Sequence, residues 1–384
     1  MVYMKKAKAS YIITLAIIAV SILSFSFVSS YAASGNNGKA RVIAESAEQA
    51  SAAVDRGCKV VRETKGLTAL ICSPDVASSL GLQEDIKLFA IDAGANSQIG
   101  ADSVQSSGNT GVGRKVVVLD SGYNYNHSEL RSSYLGGRDF VNNDNDPIDD
   151  NGHGSHVAGL ITADGVVSNT RGVAPETGII SGKVLDSSGS GYFSDIVAAI
   201  YWAVDGPDGI SATSDDFIAD AINMSLGASA PNIYKGYCNS AMPSMTSAIK
   251  YAVEKGVVVV VAAGNSGGSG VSLPGCVSYS TTVGAVNSSD SIAKFSGKGQ
   301  AVDISAPGVN LVSTWLGTSY ATASGTSMAT PTVSGTIALI KSNHPSYSAS
   351  QVEAALYNTA KDLGKAGKDI SYGYGRVVVP AAVA

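Results

Sequence analysis

Four stretches of the chain carry hydrophobic residues without a regular polar alternation: KVVVLD (115–120), TGIISGKVL (177–185), DAINMSL (220–226) and GVVVVVAAGN (256–265). They are rich in β-branched residues and lack polar alternation, the pattern of strands covered on both faces. Between them lie segments with helical spacing: FSDIVAAIYWAV (193–204), PSMTSAIKYAVEK (243–255) and TSMATPTVSGTIALIK (326–341). Strand and helix alternate, which predicts an α/β fold with a parallel sheet flanked by helices. In such sheets functional groups gather beyond the carboxyl ends of the strands.

Residues 33–92 read differently. KARVIAES and two short strands around Thr64-Lys65-Gly66 look β, while SAEQASAAVDRG and SPDVASSLGL look helical. That predicts a small α+β unit. Cys58 and Cys72 each lie seven residues from Lys65. Across a hairpin they would face each other within disulfide range.

Further upstream, Lys5, Lys6 and Lys8 precede an apolar run at 11–28, and Ser30-Tyr31-Ala32 offers small residues at its exit. A signal peptide cleaved near Ala32 is expected rather than a retained anchor. Export would place the chain in an oxidising medium. It therefore favours disulfides over free thiols, Cys58 with Cys72 and, from the remainder, Cys238 with Cys276. The net charge of −5 leaves no basic footprint for nucleic acid.

The candidate chemistry sits where the fold rule places it. Asp120 ends the strand VVVLD, His153 lies in a glycine-flanked turn before the apolar run HVAGLI, and Ser327 opens a helix. These are the parts of an Asp–His–Ser triad: serine attacks, histidine takes its proton, and aspartate fixes the imidazole. Asn265, after the most apolar strand, can donate to a developing oxyanion, with the Ser327 N–H at the helix start as second donor. Pro331 is expected early in that helix, where a missing N–H costs least. Each residue alone has an ordinary reading as a cap, turn or packing residue.

Zinc is disfavoured, because His153 and His156 lack the H-E-x-x-H arrangement and no Cys or third His is close in sequence. His156 is expected to pack within its helix, and His127 and His344 read as surface or loop residues.

VVVLDSG, NGHGSHVAG, VVVAAGN and SGTSMATPTVSG resemble, nearly letter for letter, the signature segments of the subtilisin family of serine peptidases. The likeness covers about 97–380, including NMSLG and the closing YGYGRVVVPAA, and SQIGADSVQ is similar to the start of the mature enzymes. Ser155 stands where the family usually has Thr. The resemblance implies a subtilisin-like fold and a secreted, monomeric serine endopeptidase acting on proteins or peptides through an acyl-enzyme. Asp120, His153 and Ser327 would be its triad and Asn265 its oxyanion donor. Ser225-Leu226-Gly227 would line the S1 pocket and pair with substrate as an added strand. Ala263-Gly264 would form the opposite wall and Ser272 the base, with the Cys238–Cys276 bridge beside the cleft.

By the same resemblance the chain is a pre-pro-enzyme. Residues 1–32 are a signal peptide, 33–92 an inhibitory propeptide and folding aid, and 93–384 the catalytic domain, with self-cleavage somewhere in 88–96. A reading from another class is a catalytically silent relative acting as a calcium-dependent binding module.

The acidic run DFVNNDNDPIDDNGHG suits Ca²⁺, a hard cation that takes oxygen ligands. Asp139, Asp144 and Asp146 match a calcium loop of thermostable relatives. The family's widespread calcium site is altered here: its aspartate position is Glu129, and its loop at 164–170 departs from the usual pattern. The loop at 205–216 is similar to a shortened calcium insertion.

Overall fold

The computed structural model describes residues 38–64, 67–84, 94–167 and 169–384. The expected signal peptide, the hairpin tip at Lys65-Gly66 and residues 88–93 of the expected cleavage segment lie outside the described residues. The chain divides into two compact units at Leu88–Phe89.

The first unit runs β1 (Ala40–Ala44), α1 (Ala47–Asp55), β2 (Lys59–Thr64), β3 (Leu67–Cys72), α2 (Pro74–Ser79) and β4 (Gln83–Glu84). Its antiparallel sheet has the order β2-β3-β1-β4. The expected strands and helices are present; β4 was not foreseen, because two residues carry no periodicity. Ser46 caps α1 by accepting the Gln49 N–H. Lys59 pairs with Ile71, which brings Cys58 against Cys72 in a disulfide with Cα atoms 4.5 Å apart. The core here is thin: Val42, Leu70 and Leu82 with several alanines. A crosslink closing a loop of this size contributes about 3 kcal/mol, a large share for so small a core.

The second unit opens with α3 (Gly94–Ile99) and α4 (Ala101–Ser106), followed by β5 (Lys115–Asp120), β6 (Tyr134–Asp139), α5 (His153–Thr162), β7 (Gly178–Lys183), α6 (Phe193–Asp205) and β8 (Ala221–Met224). Next come β9 (Ile233–Tyr234), α7 (Pro243–Glu254), β10 (Val258–Ala262), β11 (Val271–Ser272), β12 (Thr281–Val286) and β13 (Ile304–Pro307). The chain closes with β14 (Leu311–Thr314), β15 (Tyr320–Ala323), α8 (Thr326–Asn343), α9 (Ala349–Asn358) and α10 (Val379–Ala382). Seven strands form a parallel sheet in the order β13-β12-β10-β8-β5-β7-β6.

The hydrophobic runs without polar alternation have a simple origin. Val116 and Val118 enter the core on one side of the sheet, with α5, α8 and α9. Val117 and Leu119 enter the core on the other side, with α6 and α7. Val258 and Val260 divide from Val259 and Val261 in the same way. Each such side chain, fully buried, contributes about 1.5–3 kcal/mol of transfer free energy. β6, β12 and β13 were not foreseen; β6 carries two glycines and a bulge, YLGGRD, and so lacks a strand's pattern.

α8 is buried from Thr326 to Ile340 except at Ser327. Its small polar residues are satisfied internally: Ser334 Oγ donates to Asn223 Oδ1 on β8, and Thr336 Oγ1 to the Thr332 carbonyl. α8 starts at 326 as expected, which puts Pro331 just past the first turn, where an intrahelical hydrogen bond is lost. Pro331 cannot donate to the Ser327 carbonyl, and Ser225 Oγ does so instead at 2.8 Å. The orphaned acceptor thus ties the start of α8 to the end of β8.

Candidate active site

β10, β8 and β5 are neighbours in the sheet, so Asn265, Ser225 and Asp120 emerge from adjacent carboxyl ends. His153 comes from the first residue of α5 and Ser327 from the first turn of α8. His153, Ser225, Asn265 and Ser327 line one cleft of about 1100 Å³.

Asp120 is fully buried. Its Oδ1 lies 2.7 Å from His153 Nδ1 and accepts the Ser121 N–H at 2.7 Å. The carboxylate therefore holds the proton on Nδ1 and leaves Nε2 as the acceptor in the neutral ring. Burial pulls the His153 pKa down, but the charge and hydrogen bond of Asp120 outweigh it and hold the pKa above the ordinary histidine value of 6.5.

The turn carrying His153 is built around Asp149. Its buried carboxylate accepts the N–H groups of Asn151, Gly152 and Ser155 and the hydroxyls of Ser121 and Ser155, at 2.6–3.0 Å. Burial pushes the Asp149 pKa up, but these donors hold it below the ordinary aspartate range. A carboxylate here also meets the positive end of the α5 dipole. Ser121 Oγ accepts the Gly154 N–H. Gly154 permits this approach, because a Cβ there would lie 2.3 Å from the Gly122 carbonyl. Gly152 adopts φ +104° beneath the Trp315 indole, where a Cβ has no room.

Asn265 Oδ1 accepts from Thr326 N at 3.0 Å and Thr326 Oγ1 at 3.1 Å. With the oxygen engaged there, the amide NH₂ is the end free to donate into the cleft. Ser327 N–H belongs to the first turn of α8, which has no intrahelical acceptor. Ser327 Oγ donates to the Ser225 carbonyl at 3.0 Å in this resting arrangement. Catalytic hydrogen bonds in free enzymes often tighten only with substrate.

Of the expected pocket residues, Ser225, Leu226, Gly227, Gly264 and Ser272 line the cleft. Ala263 does not: it is buried behind the wall, its carbonyl accepting the Ser272 N–H. Leu273 and Pro274 extend the base. Cys276, two residues on, is bonded to Cys238 with Cα atoms 5.3 Å apart.

His156 is fully buried, with Nε2 facing the carbonyls of Leu311 and Ala321. Burial lowers its pKa to about 4, so it is neutral and packs behind the site. His127, expected at the surface or in a loop, lies in the loop between β5 and β6 but is buried there, edge-on to Tyr320. A single histidine in a polar segment gave no pattern from which burial could be read.

The expected calcium ligands fit an ion poorly as they stand. Asp139 is buried, with Oδ1 accepting the N–H groups of Val141 and Asn142 and Oδ2 the Asn142 amide. Asp144 accepts the Asp146 N–H, and Asp146 the Tyr125 hydroxyl. Among the described residues, no group of three or more His, Cys, Asp and Glu side chains converges to hold a metal. In the loop at 205–216, Asp208, Asp215 and Asp216 cap their own turns.

Glu129 does at 164–170 what an ion could otherwise do. Fully buried, it accepts the N–H groups of Gly165, Val166 and Val167 and the hydroxyls of Thr170 and Tyr320, at 2.6–3.0 Å. Burial pushes its pKa up, but these donors hold it below the ordinary glutamate value. The stability it adds is fully present above the unfolded pKa of about 4.3 and is lost as pH falls through the lower folded value. Glu129→Gln is expected to cost on the order of 2 kcal/mol at pH 7. In thermal melts across pH, that deficit should shrink toward zero below the folded pKa; a deficit independent of pH would contradict the assignment.

The residues that sequence reasoning did not single out are Ser121, Lys183 and Trp315, and Asp149 was read only as an oxygen of the acidic run rather than as the centre of the His153 turn. Lys183 left one signal, a charged residue at the end of the apolar run GIISGK.

The helix-flanked parallel sheet and this cleft are those of a serine endopeptidase, a hydrolase of peptide bonds. The sequence profile described as the subtilase family matches residues 111–375, and the chain belongs to that family. Subtilisin DY of Bacillus licheniformis is 40% identical over 292 residues, 74% of this chain and 96% of its own. Subtilisin E of Bacillus subtilis strain 168 is 36% identical over 358 residues, 88% of this chain and 86% of its own. The alkaline protease of Shouchella clausii is 36% identical over 330 residues, 83% of this chain and 80% of its own.

Proposed function

We propose that the protein is a secreted, self-processing and monomeric endopeptidase in which Asp120, His153 and Ser327 form the catalytic triad. The observation that carries this is the buried 2.7 Å contact between Asp120 and His153 at the back of the cleft that holds Ser327.

A substrate strand lies along Ser225-Leu226-Gly227, its side chain entering the pocket between Gly264 and Ser272. Ser327 Oγ attacks the scissile carbonyl while His153 Nε2 takes its proton. The oxygen that becomes negative is met by the Asn265 amide and the Ser327 N–H. His153 then protonates the leaving amine, and water resolves the acyl-enzyme by the same route. In this reading residues 1–32 direct export and 33–92 act as intramolecular inhibitor and folding aid, removed by a cut within 88–96. A parallel sheet with long-range contacts folds slowly, which gives such an aid a physical purpose.

Calcium at Asp139, Asp144 and Asp146 would require Asp139 to release its own turn. A melting temperature raised by calcium and no longer raised in Asp144→Asn would support binding; an unchanged one would remove it. No step above depends on an ion.

Labelling by a serine-directed phosphonate tests the whole reading. His153 acts as base only when neutral, and its pKa is held above 6.5. The labelling rate should therefore fall as pH drops through a midpoint above 6.5, and Asp120→Asn should slow labelling and move that midpoint down. A rate indifferent to pH between 5 and 9 would exclude His153 as the base.

A further inference from the structure

We propose that Lys183 is a positioning residue for the catalytic pair, a clamp that ties the segment bearing Asp120 to the segment bearing His153. Lys183 is the one lysine that is buried among the described residues, with its side chain 1% exposed. It ends β7, where its backbone is in register with Asp120 of β5 on one side and Asp139 of β6 on the other. Its ammonium makes three short contacts: 2.7 Å to the Ser121 carbonyl, 2.6 Å to Asp150 Oδ1 and 3.0 Å to the Leu185 carbonyl. All three donors of the group are used.

Two of those contacts lead to the reaction centre. Ser121 follows Asp120, and its N–H bonds the same Oδ1 that faces His153. Its hydroxyl holds Asp149 and the Gly154 N–H, on either side of His153. Asp150 adjoins Asp149 and begins the turn that ends in His153. One ammonium therefore fastens both ends of the 2.7 Å Asp120–His153 contact from behind. A neutral side chain of similar length would leave two buried carbonyls without this donor and the Asp150 tie undone. A buried lysine is costly to desolvate and is retained where its charge is used. Misplacing a reacting group by about 1 Å can cost about a hundredfold in rate, so loosening this frame should act on the chemical step.

The inference rests on the proposed triad, and the experiment separates the two. Wild type, Lys183→Met and Asp150→Ala are titrated with the serine-directed phosphonate to count active sites. kcat and KM are then measured on a chromogenic peptide anilide. For Lys183→Met the expected result is a kcat per titrated site lower by about tenfold or more, with KM within about twofold of wild type. Asp150 is half exposed, so Asp150→Ala removes the acceptor and breaks one tie without emptying the buried site; its kcat per site should fall by about threefold. This second variant decides the matter if Lys183→Met yields no folded protein. A purely structural lysine would lower melting temperature and yield while leaving kcat per titrated site unchanged, and that result in either variant overturns the clamp. A wild-type protein that the phosphonate does not label overturns the triad reading itself, and the clamp with it.

Discussion

Ser327→Ala is expected to lower kcat by about a million-fold and to leave the precursor uncut. That magnitude is the one measured for the nucleophile of subtilisin, a relative of this chain. The physical basis is visible here. Ser327 is the hydroxyl at the start of α8 that shares a cleft with His153, and its Oγ already donates to the wall of that cleft at the Ser225 carbonyl. With the hydroxyl gone, His153 has no proton to take, and Asp120 orients a base without a task. Some acceleration over water should persist through the oxyanion donors and substrate binding alone. N-terminal sequencing of purified wild type and variant, beside their turnover, checks both halves at once. A wild-type start within 88–96 beside an uncut variant supports self-processing. An active variant would displace Ser327 as nucleophile and reopen the reading of a silent calcium-dependent binding module, which no observation now favours.

The second large effect is expected at Asn265. Asn265→Ala should reduce kcat by about a hundred- to a thousandfold with little change in KM. Again the range is that established for the corresponding amide donor of subtilisin. The geometry explains why KM should be spared. Asn265 Oδ1 is engaged by Thr326 N and Oγ1, so its NH₂ is held ready before any substrate arrives. A preorganised donor gains most when the carbonyl oxygen becomes an anion, and little with the neutral substrate. Steady-state kinetics on a peptide anilide separates kcat from KM. A variant that raises KM with kcat intact would make Asn265 a binding residue instead.

How much could be read in advance differs from element to element. β5, β7, β8 and β10 were legible because burial on both faces suppresses polar positions. α6, α7 and α8 were legible from their helical spacing, and α5 from the apolar run HVAGLI behind a glycine-flanked turn. β6 was not, since Tyr134–Asp139 holds two glycines and a bulge. The start of α8 at 326 was legible, but how the carbonyl that Pro331 abandons is satisfied was not, because nothing local reveals that Ser225 Oγ takes it over. Ala263 was assigned to the pocket wall, yet pleating turns it inward and leaves Gly264 to face the cleft.

By itself, then, the sequence determined the fold class, the identity of Asp120, His153, Ser327 and Asn265 as candidates, and the Cys58–Cys72 pairing. These follow from patterns within a few residues: periodicity, glycine-flanked turns and hairpin symmetry. Only the tertiary structure decided that Asp149 and Ser121 build the His153 turn, that Glu129 closes its loop with its own carboxylate, and that Lys183 stands behind the pair. Asp149, Glu129 and Lys183 are buried charges, and a buried charge is stable only if distant segments bring donors or counter-charges to it. For each of them at least one partner lies tens of residues away along the chain: Ser121 for Asp149, Tyr320 for Glu129, and Ser121 and Asp150 for Lys183. No local pattern encodes such a meeting; folding the sheet creates it.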